Sequence, residues 1–221
     1  MEQIHRPQTL KEIAADRIRD AIVQGRMKLG EPLSENYLAQ TLQVSKTPIR
    51  EALSLLNMEG LVNIVPQKGT FVFSMDKEEI IELCELRYAL ESLAMKYSLE
   101  RNKIPFLKEL GINVKPMEKT LKKEKQWSYL ELDNQFHNAF FRFCENRYMI
   151  DMYKMINARI AALKNLMIDY QSQPQKSYED HFTILELLKK DQIGEAQLLL
   201  ENHIITWLKK VEIRNKISVA A

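Results

Sequence analysis

The run Val44-Ser45-Lys46-Thr47-Pro48-Ile49-Arg50-Glu51-Ala52-Leu53 decides how the first third of this chain folds. Ser45 is a residue type that starts helices, because its side chain can accept a first-turn N–H. Pro48 falls in that first turn, where a missing N–H costs nothing. The proline cannot serve as the capping donor, so the Thr47 N–H is the expected partner of Ser45. Ile49, Ala52, Leu53 and Leu56 recur at helical spacing and form one apolar face. Lys46, Thr47 and Arg50 fall on the opposite face, one turn apart. Two cations and a hydroxyl at an exposed helix N-terminus suit phosphate and base-edge contact on double-stranded DNA.

The flanking segments support that reading. Ser34 to Leu42 forms a second short amphipathic helix, with Tyr37, Leu38 and Leu42 expected inward. Only Gln43 and Val44 lie between the two helices, a tight helix-turn-helix connection. Leu61-Val62-Asn63-Ile64-Val65 and Thr70-Phe71-Val72-Phe73 are β-rich, and Pro66-Gln67-Lys68-Gly69 between them reads as a hairpin turn. Helix, helix and hairpin make a winged helix-turn-helix, with Lys68 and Gly69 at the tip of the wing. An earlier helix runs from a Thr9 N-cap to about Gln24. Its apolar stripe is Leu10, Ile13, Ala14, Ile18, Ala21 and Ile22, Gly25 ends it, and Arg17 and Arg19 are expected on a solvated face.

This pattern resembles the GntR family of bacterial transcription regulators. The matching residues are Gly30-Glu31-Pro32-Leu33-Ser34-Glu35, Leu38-Ala39, Val44 to Leu53, Glu59-Gly60-Leu61-Val62 and Gly69-Thr70-Phe71-Val72. The resemblance implies that Ser45, Lys46, Thr47, Arg50 and Gly69 contact operator DNA. The family usually has Arg where this chain has Lys46, so a forked contact to guanine becomes a point charge. It often has another phosphate-binding Arg where this chain has Asn36.

The totals bound the alternatives. The chain has 221 residues, 45% of them hydrophobic and 28% charged, which is ordinary for a soluble globular protein. No apolar run is long enough for a membrane span, and Met1 to Pro7 lacks the apolar core of a signal peptide. Cys84 and Cys144 are isolated, which suits small buried thiols in a reducing cytoplasm. Net charge is only +2. Up to Phe73 there are 9 Lys and Arg against 8 Asp and Glu, so DNA binding rests on residue placement and not on a basic domain.

After the wing, Asp76 with Glu79 forms a capping-box pattern, and from there on no strand pattern occurs. Helices are expected over 76–101, 114–124, 127–144, 147–171, 175–190 and 192–213. The expected breaks are Ile104-Pro105, Gly111, Lys115-Pro116, Glu145-Asn146 and Gln173-Pro174. The fold is therefore mostly α: a winged helix-turn-helix domain over 1–73, then an all-α six-helix bundle over 74–221. Leu83, Leu86, Leu90, Leu93 and Tyr97 are expected in the bundle core, and Met149, Met152, Met155 and Met167 in core or interface.

Three of the four histidines, His137, His181 and His203, fall on three different expected helices, while His5 lies in the N-terminal arm. Asp133 precedes His137 by one turn and shares its face. A carboxylate and three imidazoles can enclose a divalent cation. By spacing alone the signal is weak: a histidine on an apolar helix is more often a core residue with one hydrogen bond.

Asp133-Asn134-Gln135-Phe136-His137, Asn146, Asp180-His181 with Ile184-Leu185, and Ala196 with Asn202-His203-Ile204 resemble the FCD effector domain of the FadR-type branch of that family. The segment 102–125 matches it least. The resemblance implies that Asp133, His137, His181 and His203 are metal ligands. It implies Zn or Ni as the metal, which three imidazoles favour over Mg²⁺ or Ca²⁺. It further implies a small carboxylate effector, with Arg87 facing it. The alternative for Arg87 is a surface salt bridge with Glu91. A homodimer reading a pseudo-palindromic operator follows from one recognition helix per half-site. A metalloenzyme is the weaker reading: there is no H-E-x-x-H, and no further acid can be placed beside the site. A purely structural metal is the stronger rival, since four protein ligands can close a zinc shell.

Overall fold

A computed structural model describes residues 8–122, 126–167 and 174–218, with side chains described over 8–121, 128–165 and 174–205. His5, the Met167 side chain and the expected helix ends at 124 and 171 lie outside the described residues. By internal contacts the chain divides into two compact units. The first takes the chain up to Ser74 together with Met155–Asn165, and the second takes Met75–Lys154 and the chain from Leu166 on.

The first unit holds α1 (Leu10–Val23), β1 (Pro32–Leu33), α2 (Glu35–Leu42), α3 (Lys46–Met58), β2 (Val62–Val65) and β3 (Gly69–Val72). Thr9 caps α1 in a reciprocal box with Glu12. Ala14, Ile18, Ala21 and Ile22 are buried as their spacing requires, but Leu10 and Ile13, at 59% and 41% exposure, point outward. Arg19 is not on a solvated face. Its Nε and a terminal nitrogen bind the two oxygens of Glu59 at 2.9 and 2.7 Å, tying α1 to the end of α3. Leu38 is buried under α3, whereas Tyr37, expected inward, is 63% exposed. A helix of eight residues has room for few inward positions, and Leu38 and Ala39 fill them.

The sheet is antiparallel in the order β1-β3-β2. Val62 faces Val72 and Val65 faces Gly69, so the turn expected at 66–69 joins them in register. β1 was not visible as a strand pattern because it is two residues long; Pro32 sits on the sheet's edge, where a proline removes no ladder bond. Two left-handed glycines receive the segment Met155–Asn165 that belongs to this unit. A Cβ on Gly60 (φ +69°) would lie 3.3 Å from the Arg159 guanidinium carbon, and one on Gly25 (φ +68°) 2.9 Å from Asn165 Nδ2.

The second unit is built from α4 (Lys77–Lys122), α5 (Gln126–Arg142), α6 (Arg147–Met167), α7 (Pro174–Lys189) and α8 (Ile193–Ser218). Asp76 and Glu79 exchange the two bonds of a capping box at the start of α4. α4 carries two of the six expected helices across one kink, at Asn102 (φ −139°, ψ 44°). The kink precedes Pro105 by three residues, which puts that proline in the first turn of the second segment, where it is tolerated. Gly111 and Pro116 do not break the helix. Phe106, Leu110, Val114 and Met117 recur at helical spacing and are buried. That packed face, with Phe106 set edge-on to Phe140 of α5 at 6.0 Å, outweighs local propensity.

The face of α4 that turns inward is not the leucine stripe. Leu83 is buried, but Leu86 and Leu93 are 39% and 45% exposed. Ile80, Cys84, Ala94, Met95 and Leu99 line the core instead, together with the charged pair Arg87 and Glu91. Met149 is buried, while Met152 and Met155 are half exposed. Cys84 and Cys144 are buried thiols, not joined in a disulfide.

Candidate metal centre and DNA-reading face

In the first unit, α2 ends at Gln43 in the left-handed region (φ 55°), which turns the chain sharply into α3. Ser45 is the N-cap by backbone geometry, but its side chain makes no capping hydrogen bond. With Pro48 at the third helical position, the usual donor of that bond is gone, and the expected bond from the Thr47 N–H does not form. The Ser45 hydroxyl thus stays at the surface beside Lys46, Thr47 and Arg50, all exposed, while Ile49, Ala52, Leu53 and Leu56 anchor the helix beneath. Lys68 and Gly69 are exposed at the wing, where Gln67 (φ 63°) and Gly69 (φ 113°) make the turn. Arg50 is not a loose cation. Its Nε binds Glu35 of α2 at 2.7 Å although two thirds of its side chain is exposed. That contact, not foreseen from the sequence, ties the guanidinium to α2.

The second unit gathers Asp133 and His137 from α5, His181 from α7 and His203 from α8. One potential ligand atom from each lies within 4.8 Å of the others. His137 Nε2 and His181 Nε2 are 3.3 Å apart, and Asp133 Oδ1 is 3.5 Å from His181 Nε2 and 4.0 Å from His137 Nε2. Ligands at about 2.0–2.1 Å around a tetrahedral ion stand about 3.3–3.5 Å from one another, so the donor set fits a zinc-like cation. His137 and His181 have no exposure and His203 has 9%. Phe136 and Phe140 pack on the His137 ring, so the cluster lies in a buried interior with aromatic walls.

Arg87 and Glu91 reach the same cluster from α4. Both are buried, so the pair is an interior one and not a surface bridge. Arg87 Nε donates to Glu91 Oε1 at 2.8 Å, and its terminal nitrogen lies 3.1 Å from His137 Nε2. Tyr153 of α6 donates to the same Glu91 oxygen at 3.0 Å, while Glu91 Oε2 lies 2.8 Å from His137 Nδ1. Burial alone would lower the Arg87 pKa, but the Glu91 charge outweighs it and raises it, so the guanidinium stays charged. Burial, and then the Glu91 charge, push the Tyr153 hydroxyl well up, so it remains a donor. On the other side Asp180 Oδ2 lies 3.2 Å from His203 Nδ1 and Oδ1 lies 3.3 Å from the Lys176 ammonium. Burial raises the Asp180 carboxyl, but these two neighbours overcome it and hold it below the usual range. Glu91, Tyr153 and Asp180 were not singled out from the sequence. The only signals were Glu91 one turn after Arg87 and Asp180 beside His181.

The comparisons agree with both units. Residues 10–72 match the family model for bacterial regulatory proteins of the gntR family, and residues 82–206 match the FCD domain. The Nta operon transcriptional regulator of Aminobacter aminovorans is 30% identical over 178 residues, covering 79% of this chain and 81% of its own. The HTH-type transcriptional regulator YdhC of Bacillus subtilis is 27% identical over 203 residues, 89% of each chain. Other relatives, including the gluconate operon transcriptional repressor of Bacillus subtilis, are named as repressors. The structure of E. coli McbR/YncC shares the fold with a TM-score of 0.80 at 19% identity, covering 93% of this chain and 100% of that one. Among the described residues no helix is long and apolar enough to cross a membrane. With its reading head, its helical unit and these matches in agreement, the chain belongs to the GntR family of bacterial DNA-binding transcriptional regulators, in the branch with an FCD domain.

Proposed function

We propose that this regulator is a cytoplasmic homodimeric repressor, released from its operator by a small carboxylate that joins a metal in the helical unit. The observation that carries the reading is the convergence of Asp133, His137, His181 and His203 to within 4.8 Å in a buried, aromatic-walled site. These residues would hold Zn²⁺ or Ni²⁺, which acts there as a Lewis acid toward an anionic ligand. A carboxylate placed beside His137 comes within reach of the Arg87 terminal nitrogen, a charge-assisted donor. Residues 1–73 form the DNA-binding domain, and 74–221 bind effector and dimerise. Leu86, Leu90, Leu93 and Tyr97, spaced four, three and four residues apart on α4, suit a seam with a second copy. A two-fold pair places one α3 in each half of a pseudo-palindromic operator, where Ser45, Lys46, Thr47, Arg50, Lys68 and Gly69 make the contacts. Effector moves the DNA equilibrium only as far as it prefers one state of the dimer.

The test is a thermal-unfolding screen of the full chain against small organic acids, with and without a chelator. A ligand at 100 times its Kd adds about 2.7 kcal/mol. A stabilising acid whose effect vanishes with chelator, and which weakens a salt-sensitive complex with DNA from beside the protein's own gene, supports the reading. Chelator destabilisation with no stabilising acid makes the metal structural. A protein that carries no metal and ignores the chelator removes the ligand assignment.

A further inference from the structure

α3 carries a single arginine, and a carboxylate of the preceding helix holds it by one nitrogen. Arg50 Nε donates to Glu35 Oε2 at 2.7 Å, across the turn that joins α2 to α3. Among the described residues the two terminal nitrogens of Arg50 make no hydrogen bond or ion pair. Those nitrogens are the pair that can fork onto O6 and N7 of a guanine in the major groove. Lys46, one turn earlier, is exposed and makes no ion pair among the described residues, but an ammonium is a point charge without a fork. Arg50 is two thirds exposed and Glu35 one third, and an ion pair so exposed contributes little to stability. Its consequence is for where the guanidinium points. It also offsets the attraction of Arg50 for phosphate, in a reading head whose Lys and Arg outnumber its Asp and Glu by only one up to Phe73.

We propose that Glu35 is a positioning residue for base readout, which holds Arg50 by Nε so that its two terminal nitrogens meet one guanine and the cation is kept off the phosphates. The inference rests on the DNA contact of Arg50 proposed above and adds a residue outside that contact set. A long side chain gives up rotamer freedom when it is fixed on a base, and a tether from α2 removes part of that freedom before DNA arrives. The carboxylate repels phosphate whatever the sequence, and only the guanine contact compensates for it, so the pair favours the right sequence over the wrong one. Lys46 and Lys68 then supply the attraction that is blind to sequence, and the Glu35–Arg50 pair supplies the discrimination.

The experiment uses the full chain. Selection from a duplex library with a random core defines the bound sequence, and each guanine in it is then replaced by adenine, with thymine opposite. Fluorescence anisotropy reads these duplexes and a scrambled one. At one position the replacement should cost wild type about 5–150-fold in affinity and cost Arg50→Ala nothing. Glu35→Ala should cut that ratio by about 3–10-fold, the worth of one long side chain that must now be immobilised. It should also bind scrambled duplex about 2–3-fold more tightly, because a negative charge near the phosphates is gone. Glu35→Gln should share the second effect and keep more of the guanine ratio, since its carbonyl oxygen still accepts from Nε. In the Arg50→Ala background Glu35→Ala should change the ratio no further. A residue that only supports α2 would weaken every duplex alike when replaced. Such a parallel loss, unchanged binding in Glu35→Ala, or an undiminished effect of Glu35→Ala without Arg50 overturns the proposal. If Arg50→Ala keeps every guanine ratio of wild type, the DNA contact of Arg50 fails instead, and the role of Glu35 falls with it.

Discussion

Replacing Arg87 by Met should unmask the cost of the buried charge on α4. Glu91 has no solvent exposure and takes bonds from Arg87 at 2.8 Å and Tyr153 at 3.0 Å, with His137 Nδ1 at 2.8 Å. Met fills much of the volume of the lost side chain, so the cavity cost is small. What remains is a carboxylate in the interior with Tyr153 as its hydrogen-bond donor and no arginine counter-charge. Breaking a buried pair in this way costs about 3–5 kcal/mol. Glu91→Gln leaves the opposite charge stranded, at a similar cost of about 3–5 kcal/mol. The double variant removes both charges, and the Gln carbonyl oxygen in the place of Oε1 still accepts from Tyr153. Its expected cost is only about 1–2 kcal/mol, not the sum of the two singles. Urea unfolding of chelator-treated protein measures all three against wild type, with an unchanged slope required for the comparison. At a slope of about 2–3 kcal/mol per molar urea, each single variant should lower the midpoint by more than about 1 M, and the double should recover most of it. Additive losses, or an Arg87→Met cost below about 1 kcal/mol, would refute the reasoning and mark the pair as effectively solvated.

Two further outcomes concern the reading head. Lys46→Ala should reduce the slope of log affinity against log salt by about 0.9, the signature of one lost phosphate contact, and Arg50→Ala should flatten sequence selectivity by about 1–3 kcal/mol. Fluorescence anisotropy of operator and scrambled DNA at several salt concentrations reads both, and unchanged slope and selectivity would remove these residues from the interface. Gly60→Ala should destabilise the first unit by about 1–2 kcal/mol, because a left-handed φ penalises a Cβ. The methyl would also meet the Arg159 guanidinium at 3.3 Å. Hydrogen exchange of the β2–β3 amides reports that change locally, and wild-type protection would exclude it.

The first unit was largely legible because its signals are local. Ile49, Ala52, Leu53 and Leu56 declare the buried side of α3 within three turns, and the wing follows within a few residues. What escaped depended on partners elsewhere: Arg19 is set by Glu59, 40 residues on, and Arg50 by Glu35 on the neighbouring helix. Both arginines sit where a solvated face is the default for a charged residue.

α4 shows the deeper difficulty. Its leucines at 83, 86, 90 and 93 have the spacing of an inward face, yet the helix rotates so that Arg87 and Glu91 enter the core and Leu86 and Leu93 meet solvent. Periodicity identifies a face without saying what covers it. The inward choice becomes favourable only once His137 and Tyr153, 46 and 62 residues beyond Glu91, supply the polar groups that a buried pair requires. The four clustered residues could be named because the resemblance supplied them. The neighbouring carboxylates could not, since Glu91 and Asp180 meet their partners only when α4, α5, α7 and α8 close around one point. The same rotation that buries Arg87 leaves Leu86 and Leu93 at the surface. A charge in the core and an apolar stripe outside it are therefore two consequences of one helix orientation. A protein in which Arg87→Met/Glu91→Leu turned that helix around would be expected to lose metal affinity and dimerisation together.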